Sequence, residues 1–379
     1  MVHKVLLVAT VQSHICQFHK PLVEVLHQMG CEVHVAAHDN LAVKNGLKLD
    51  FVEKVFDLPF ARSPKDRNNI IAYKMLKKIL DEGNYDVVHC NTPMGGIVTR
   101  LAARDARKKG TKVIYTAHGF HFYEGGPKKN WMLYYPIEKL FSRLTDVLIT
   151  ITHEDYKLAS TYFHCKVEHI HGVGVDENRY FQVSTADKLA MRDKNAYTST
   201  QKLILCIGEL NANKNQTMAI RAMHKVVEKY PEALLILAGN GPMEAHLKDF
   251  IKQEGLERNV QMIGYVTNLQ DYQHMIDVQV SCSKREGLPL NVVESMLSGN
   301  PVVAGVNRGH RELIRDGENG YLVATNDSDA MAEKLLLLLE DSKECERIRT
   351  NAKLFAIDYG FENVKHELKK IYSNLFNLK

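Results

Sequence analysis

The feature that most constrains this 379-residue chain is a rhythm that runs through it twice. Short, nearly continuous apolar runs alternate with amphipathic helical stretches. In the first half the runs are Val5-Leu6-Leu7-Val8-Ala9, Val33 to Ala37 (broken by His34), Val87-Val88, Val113-Ile114-Tyr115 and Val147 to Ile151. A strand with one wet face alternates apolar and polar residues. A run without alternation belongs to a strand buried on both faces, as in a parallel sheet covered by helices. The helical stretches between them read at 21–29, 68–80 and 95–108. Pro21 suits the start of the first and Gly30 its stop.

The polar stretch 181–201 breaks this rhythm, having few apolar anchors, and reads as an interdomain connection. The pattern then restarts, with strands at 203–207, 233–238, 260–263, 278–281 and 301–304 and helices at 217–229 and 243–254. The expectation is an α/β protein of two Rossmann-like, doubly wound domains, 1–180 and 202–360, facing a central cleft. Ligands of such sheets sit beyond the carboxyl ends of the strands, so the loops following strands are where chemistry is to be sought.

Bulk properties narrow the class. With 45% hydrophobic and 25% charged residues the chain has the composition of a soluble globular protein. Nothing in a net charge of +4 suggests a dedicated nucleic-acid binder. Residues 1–180 carry 24 Lys+Arg against 19 Asp+Glu, a weak excess consistent with an anionic lipid surface or with ordinary solvated faces. Apolar runs fall short of the roughly 18–20 residues that span a bilayer. The opening run, 5–9, lacks a signal-peptide core. Seven cysteines without paired spacing suit a reducing compartment. The expected location is cytoplasmic, with a peripheral position at the inner membrane face as an option.

Five loops could carry chemistry. The first is Arg285-Glu286-Gly287-Leu288-Pro289-Leu290-Asn291-Val292-Val293-Glu294. Its two carboxylates suit sugar and ribose hydroxyls, because each accepts several hydrogen bonds. Glu294 is expected about two turns into the helix that follows. The amides of Gly287 and Leu288 suit a phosphate or a polar sugar face. Acidic residues at a helix start are also explained by the helix dipole alone. The second loop is Gly208-Glu209-Leu210-Asn211-Ala212-Asn213-Lys214-Asn215, where Lys214 offers a mobile cation to a diphosphate. The third, Ala238-Gly239-Asn240-Gly241-Pro242, allows close backbone approach but is weak alone. The fourth, Thr116-Ala117-His118-Gly119, follows a strand, as does the Val11-Gln12-Ser13-His14 loop; both are placed to touch a ligand. With 18 histidines in the chain, any one of them is more often structural. Asp327-Ser328-Asp329 imitates a metal-binding Asp-x-Asp, but N-capping of the following helix explains it. No metal is expected.

These residues carry a resemblance. The chain resembles the retaining glycosyltransferases of family 4, which have the GT-B fold, over nearly its whole length. The most specific element is the E-x7-E of Glu286 to Glu294 around Gly287-Leu288-Pro289. Also similar are Gly239-Asn240-Gly241-Pro242, Ile263-Gly264, Gly172-Val173-Gly174-Val175-Asp176 and Asp316 to Val323. The first half, with Ser13-His14 and Tyr115 to Phe122, looks like bacterial capsule and exopolysaccharide transferases.

The resemblance implies roles. Glu294 would hold the ribose, Glu286 the donor sugar and Lys214 the diphosphate. Gly264, with Ile263 and Tyr265, would line the base pocket, and His118 would sit over the donor sugar. Ser13, Gly208, Asn240, Gly287 and Leu288 complete the expected donor site. The last helix, 361–379, would pack back on the first domain. The reaction implied is retaining transfer of a hexose or N-acetylhexosamine from a UDP-sugar to a lipid-linked saccharide acceptor, with no cofactor beyond the donor itself. Basic residues at 65–78, 104–112 and 128–129, with Trp131, Tyr134 and Tyr135, could touch an anionic membrane; aromatics in the core and ordinarily solvated lysines are an equal alternative. One position departs: Glu209 stands where the family usually has an arginine that grips the diphosphate. The alternatives are a UDP-sugar 2-epimerase of the same fold and a non-catalytic nucleotide-sugar-binding partner subunit.

Overall fold

The computed structural model describes residues 2–44 and 46–376. The chain forms two compact units, the first from residues 1–174 with 361–379 and the second from residues 175–360.

The first unit holds seven strands: β1 (Lys4–Val11), β2 (Glu32–His38), β3 (Lys54–Asp57), β4 (Val87–Asn91), β5 (Lys112–Ala117), β6 (Val147–Thr150) and β7 (Lys166–His169). They lie in the order β3-β2-β1-β4-β5-β6-β7, and every pairing is parallel. Val5, Leu6, Leu7 and Val8 of β1 are all fully buried, which is what a run without alternation requires. Edge strands β3 and β7 are partly wet, and their polar residues hide them from the apolar-run criterion. The helical stretch expected at 95–108 is two helices, Pro93–Ala102 and Arg104–Lys108.

The terminal helix Phe361–Leu375 belongs to this first unit. Its Tyr372 hydroxyl meets His89 Nδ1 at 2.8 Å, and Glu367 binds His171 at 2.6 Å. The end of the expected helix, 377–379, lies outside the described residues.

The second unit holds β8 (Leu203–Ile207), β9 (Leu234–Ala238), β10 (Val260–Gly264), β11 (Val278–Ser281), β12 (Val302–Gly305) and β13 (Tyr321–Val323). Their order is β10-β9-β8-β11-β12-β13, again all parallel. Residues 181–201 are part of this unit rather than a free connection. They contain the helix Thr185–Lys194, capped by Ser184, whose hydroxyl accepts from Asp187 N. Lys188 and Arg192 reach into the unit and bind Asp277 at 2.9 and 2.8 Å. Burial alone would raise the Asp277 carboxyl; Lys188 and Arg192 outweigh it and hold the group below its ordinary value.

In both sheets the chain reverses direction of growth at one place, between β1 and β4 and between β8 and β11. In sheets of this kind the carboxyl ends of the strands at such a reversal are the usual ligand position.

Candidate active site

In the second unit the switch point is built from the loops after β8 and β11. Gly208 closes β8 with φ +151° and Gly239 closes β9 with φ +144°. A Cβ on Gly239 would stand 2.1 Å from the Gly208 carbonyl oxygen, so neither backbone could hold this path with a side chain there. Backbone hydrogen bonds knit the three strand ends together: Gly208 N donates to Ala238 O at 2.9 Å and Gly239 N to Gly264 O at 2.8 Å. Asn240 Oδ1 lies beside Gly264, 3.3 Å from where its Cβ would be. The result is a floor of bare backbone. Tyr265, beyond it, is 58% exposed.

Lys214 is aimed over this floor. Asn211 Oδ1 accepts from the amides of Asn213 and Lys214, both at 3.0 Å, which turns the chain back. The stem of Lys214 then passes Gly208, 3.0 Å from the position a Cβ would take. Its ammonium meets Glu286 Oε1 at 2.5 Å. Two residues 72 apart in sequence are thus brought together by the adjacency of β8 and β11.

Glu286 is held from behind. A Cβ on Gly309 would come within 2.7 Å of Glu286 Cβ and 2.6 Å of the Gly287 carbonyl oxygen, so that glycine lets the two loops touch. Asn307 Nδ2 donates to Ser283 O at 2.7 Å. The buried His310 binds Ser281 Oγ at 2.8 Å and the Gly305 carbonyl at 2.5 Å. Burial lowers its pKa, against the Gly305 carbonyl and Glu286, which raise it. His310 and Asn307 were not among the expected residues. Asn-x-Gly after a strand was the available signal.

The helix after this loop spans Leu290–Leu297 with Pro289 as N-cap. Glu294 therefore lies little more than one turn in, not two. Gly287 and Leu288 precede the helix, and its opening amides are those of Leu290 and Asn291. Asn291 Nδ2 donates to Ile207 O at 3.2 Å and ties the helix start to the end of β8. Burial lifts the Glu294 carboxyl to about 7, although a hydrogen bond from Tyr180 and the nearby Arg179 pull the other way. Tyr180 is a further neighbour that the sequence did not reveal.

Glu209 is exposed, and its Oε2 accepts from Asn211 Nδ2 at 2.9 Å. The carboxylate is therefore engaged by the same asparagine that turns the Lys214 loop. Asp327 caps its helix through Ala330 N at 2.9 Å, and Asp329 pairs with Lys225 at 3.0 Å.

Ser13 and His118 lie in the first unit, at its own switch point. Ser13 N donates to Asn40 Oδ1 at 3.0 Å, and Asn40 Nδ2 donates to Ser13 Oγ at 2.9 Å. Thr92, after β4, has φ +64°, rare for a β-branched residue, and its hydroxyl meets Thr10 Oγ1 at 2.7 Å. His118 Nε2 lies 3.3 Å from both His14 Nε2 and Asn91 Oδ1. Burial takes His14 down to about 4. Burial first, then neighbouring histidines, put His118 and His19 well below the ordinary range. These imidazoles are neutral at pH 7.

The expected aromatic cluster divides. Trp131 and Tyr135 pack against the core beside Phe122, with Trp131 Nε1 donating to Tyr123 O at 3.0 Å; only Tyr134 of the three is exposed. On the same helix, Lys128–Phe141, the outward apolar residues are Met132 (80% exposed), Leu133 (56%) and Leu140 (60%). The periodicity that brings 131 and 135 inward turns 132, 133 and 140 out. No helix among the described residues is long and apolar enough to cross a membrane.

Two successive parallel-sheet units, each with a switch point, form the architecture of the GT-B fold. HepE of Anabaena, solved in complex with UDP, superposes with a TM-score of 0.80 at 20% identity, covering 98% of this chain and 100% of that one. Residues 21–179 match the model of Glycosyltransferase Family 4 and residues 187–355 that of Glycosyl transferases group 1. The Bacillus subtilis (strain 168) protein named "Putative glycosyltransferase EpsD" is 41% identical over 98% of this chain and 97% of its own length. An Escherichia coli relative, UDP-Gal:alpha-D-GlcNAc-diphosphoundecaprenol alpha-1,3-galactosyltransferase, is 25% identical over 82% of this chain and 80% of its own length. The chain belongs to this glycosyltransferase family and is an enzyme of GT-B type.

Proposed function

We propose that the enzyme transfers a hexose or N-acetylhexosamine from a UDP-sugar to a polyprenyl-diphosphate-linked saccharide, with retention, in capsule or exopolysaccharide synthesis. The observation that carries this reading is the Lys214–Glu286 pair poised over the Gly208–Gly239 floor. A diphosphate entering there takes the ammonium from Glu286, freeing that carboxylate for sugar hydroxyls. Lys214 and the amides at Leu290 and Asn291 then meet the charge that grows on the leaving diphosphate. In this reading Gly208, Asn240, Gly264, Tyr265, Gly287 and Leu288 surround the donor and Glu294 takes the ribose. No metal acts on the diphosphate.

The UDP of HepE and the UDP-galactose and diphosphoundecaprenol of the E. coli relative support the choice of donor and acceptor. An α product from an α-linked nucleotide sugar is retention. Met132, Leu133 and Leu140, with the exposed Lys128 and Lys129, supply an apolar, basic face for an anionic membrane carrying such an acceptor.

The test is hydrolysis of UDP-, GDP- and ADP-sugars by purified enzyme with and without EDTA. Slow, EDTA-resistant release of UDP from one donor supports the reading. Selective hydrolysis of a GDP- or ADP-sugar, or activity lost with EDTA and restored by Mg²⁺ or Mn²⁺ but not by Zn²⁺, contradicts it.

A further inference from the structure

We infer that His14, His19 and His118 form a binding site for a d-block dication, with zinc as the expected occupant. The three residues come from different places in the first unit: His14 on the helix Gln12–Phe18, His19 at its junction with the helix Lys20–Gln28, and His118 just beyond β5. Each can present one ring nitrogen to a common point, these atoms lying within 4.8 Å of one another. The closest pair, His14 Nε2 and His118 Nε2, stands 3.3 Å apart. Zinc–nitrogen bonds of about 2.05 Å at tetrahedral angles separate ligand nitrogens by about 3.3 Å, so that pair already has the edge length of a zinc site.

A second observation points to a ligand. His19 is 4% exposed, and its Nε2 is buried without a hydrogen-bond partner. An orphaned buried nitrogen destabilises a fold by about 1–3 kcal/mol, so its presence calls for an explanation. Ring centroids of 5.2 Å between His14 and His19 and 5.6 Å between His19 and His118 place the His19 ring against both other imidazoles. A mutual hydrogen bond can satisfy His14 and His118 but leaves His19 Nε2 without a partner. A metal ion satisfies all three. Imidazole donors suit zinc, copper and nickel and disfavour magnesium and calcium. Three histidines leave a fourth position for water or a substrate oxygen. Asn91 Oδ1, 3.3 Å from His118 Nε2, is the neighbouring protein oxygen.

The site lies wholly in the first unit and is independent of the proposed handling of the diphosphate. The test uses the full chain without a histidine tag, stripped with chelator and titrated calorimetrically with Zn²⁺ alone, then with Co²⁺. One equivalent of zinc and the intense visible bands of four-coordinate cobalt are expected. His14→Ala and His19→Ala should each weaken binding about 100-fold or more, since even indirect disturbance of metal sites weakens them 10–100-fold. His246→Ala, altering an exposed histidine of the second unit, should leave binding unchanged. Absence of a stoichiometric zinc site, a pale six-coordinate cobalt spectrum, or equal affinity in the His14 and His246 variants would overturn the inference. The wild-type cobalt spectrum and His14→Ala decide the matter even if His19→Ala fails to fold.

Discussion

Replacing Glu294 by glutamine should make the second unit more stable at alkaline pH while removing a pH dependence of nucleotide binding. Burial raises this carboxyl from an ordinary 4.5 to about 7. The folded state therefore holds the proton over a range in which the unfolded chain has lost it. The stability this gives is full below pH 4.5 and is lost as pH rises through 7. Linkage with these two values gives a loss of roughly 1 kcal/mol at pH 5 and roughly 3 kcal/mol at pH 8. Glutamine keeps the shape of the protonated acid and loses nothing over that range. Between pH 5 and pH 8 the difference between variant and wild type should grow by about 2 kcal/mol, or roughly 4–8 °C in melting temperature for a unit of this size. Thermal melts in parallel buffers measure it, and other titrating groups cancel in the difference. UDP affinity of the wild type should rise through pH 7 as the carboxylate forms, and the glutamine variant should show no such rise. Parallel stability curves for the two proteins from pH 5 to pH 8 would refute the argument.

Other perturbations test other parts. Lys214→Ala should lower kcat by about 100–1,000-fold, the usual effect of removing one preorganised electrostatic group, with the melting temperature measured alongside. Glu209→Arg should tighten UDP binding several-fold at low salt and less at high salt, read by calorimetry, because it replaces a carboxylate beside the Lys214 loop with a cation. Gly239→Ala should destabilise the second unit by about 3 kcal/mol or more in a denaturant melt, since its Cβ collides with the Gly208 carbonyl. Leu133→Glu should reduce sedimentation with anionic vesicles while leaving UDP-sugar hydrolysis unchanged.

How legible these features were in the sequence depended on range. The buried strands β1, β5 and β8 stood out as unbroken apolar runs because both their faces are covered. Strands β3 and β7 did not, because edge strands keep polar residues, and β13 is only three residues long. Glu286, Lys214 and Gly239 could be picked from loops after strands, because topology fixes where such loops go. What could not be read was which partners meet them. Lys188 and Arg192 looked like solvated residues of a linker until Asp277, more than 80 positions away, turned out to hold them. Tyr180 beside Glu294 and His310 behind Glu286 are likewise long-range pairings. The aromatics of 131–135, open in the sequence to either an exposed or a core position, divide: Trp131 and Tyr135 pack against the core and leave Met132 and Leu133 exposed.

The most direct test is transfer itself. Wild-type enzyme and Glu286→Ala would be given a UDP-sugar and a synthetic polyprenyl-diphosphate saccharide, and the anomeric configuration of the product read by proton NMR. An α-linked product from an α-linked donor, lost in Glu286→Ala with the protein still folded, is the predicted result. A β-linked product, or undiminished transfer without the Glu286 carboxylate, would contradict the account.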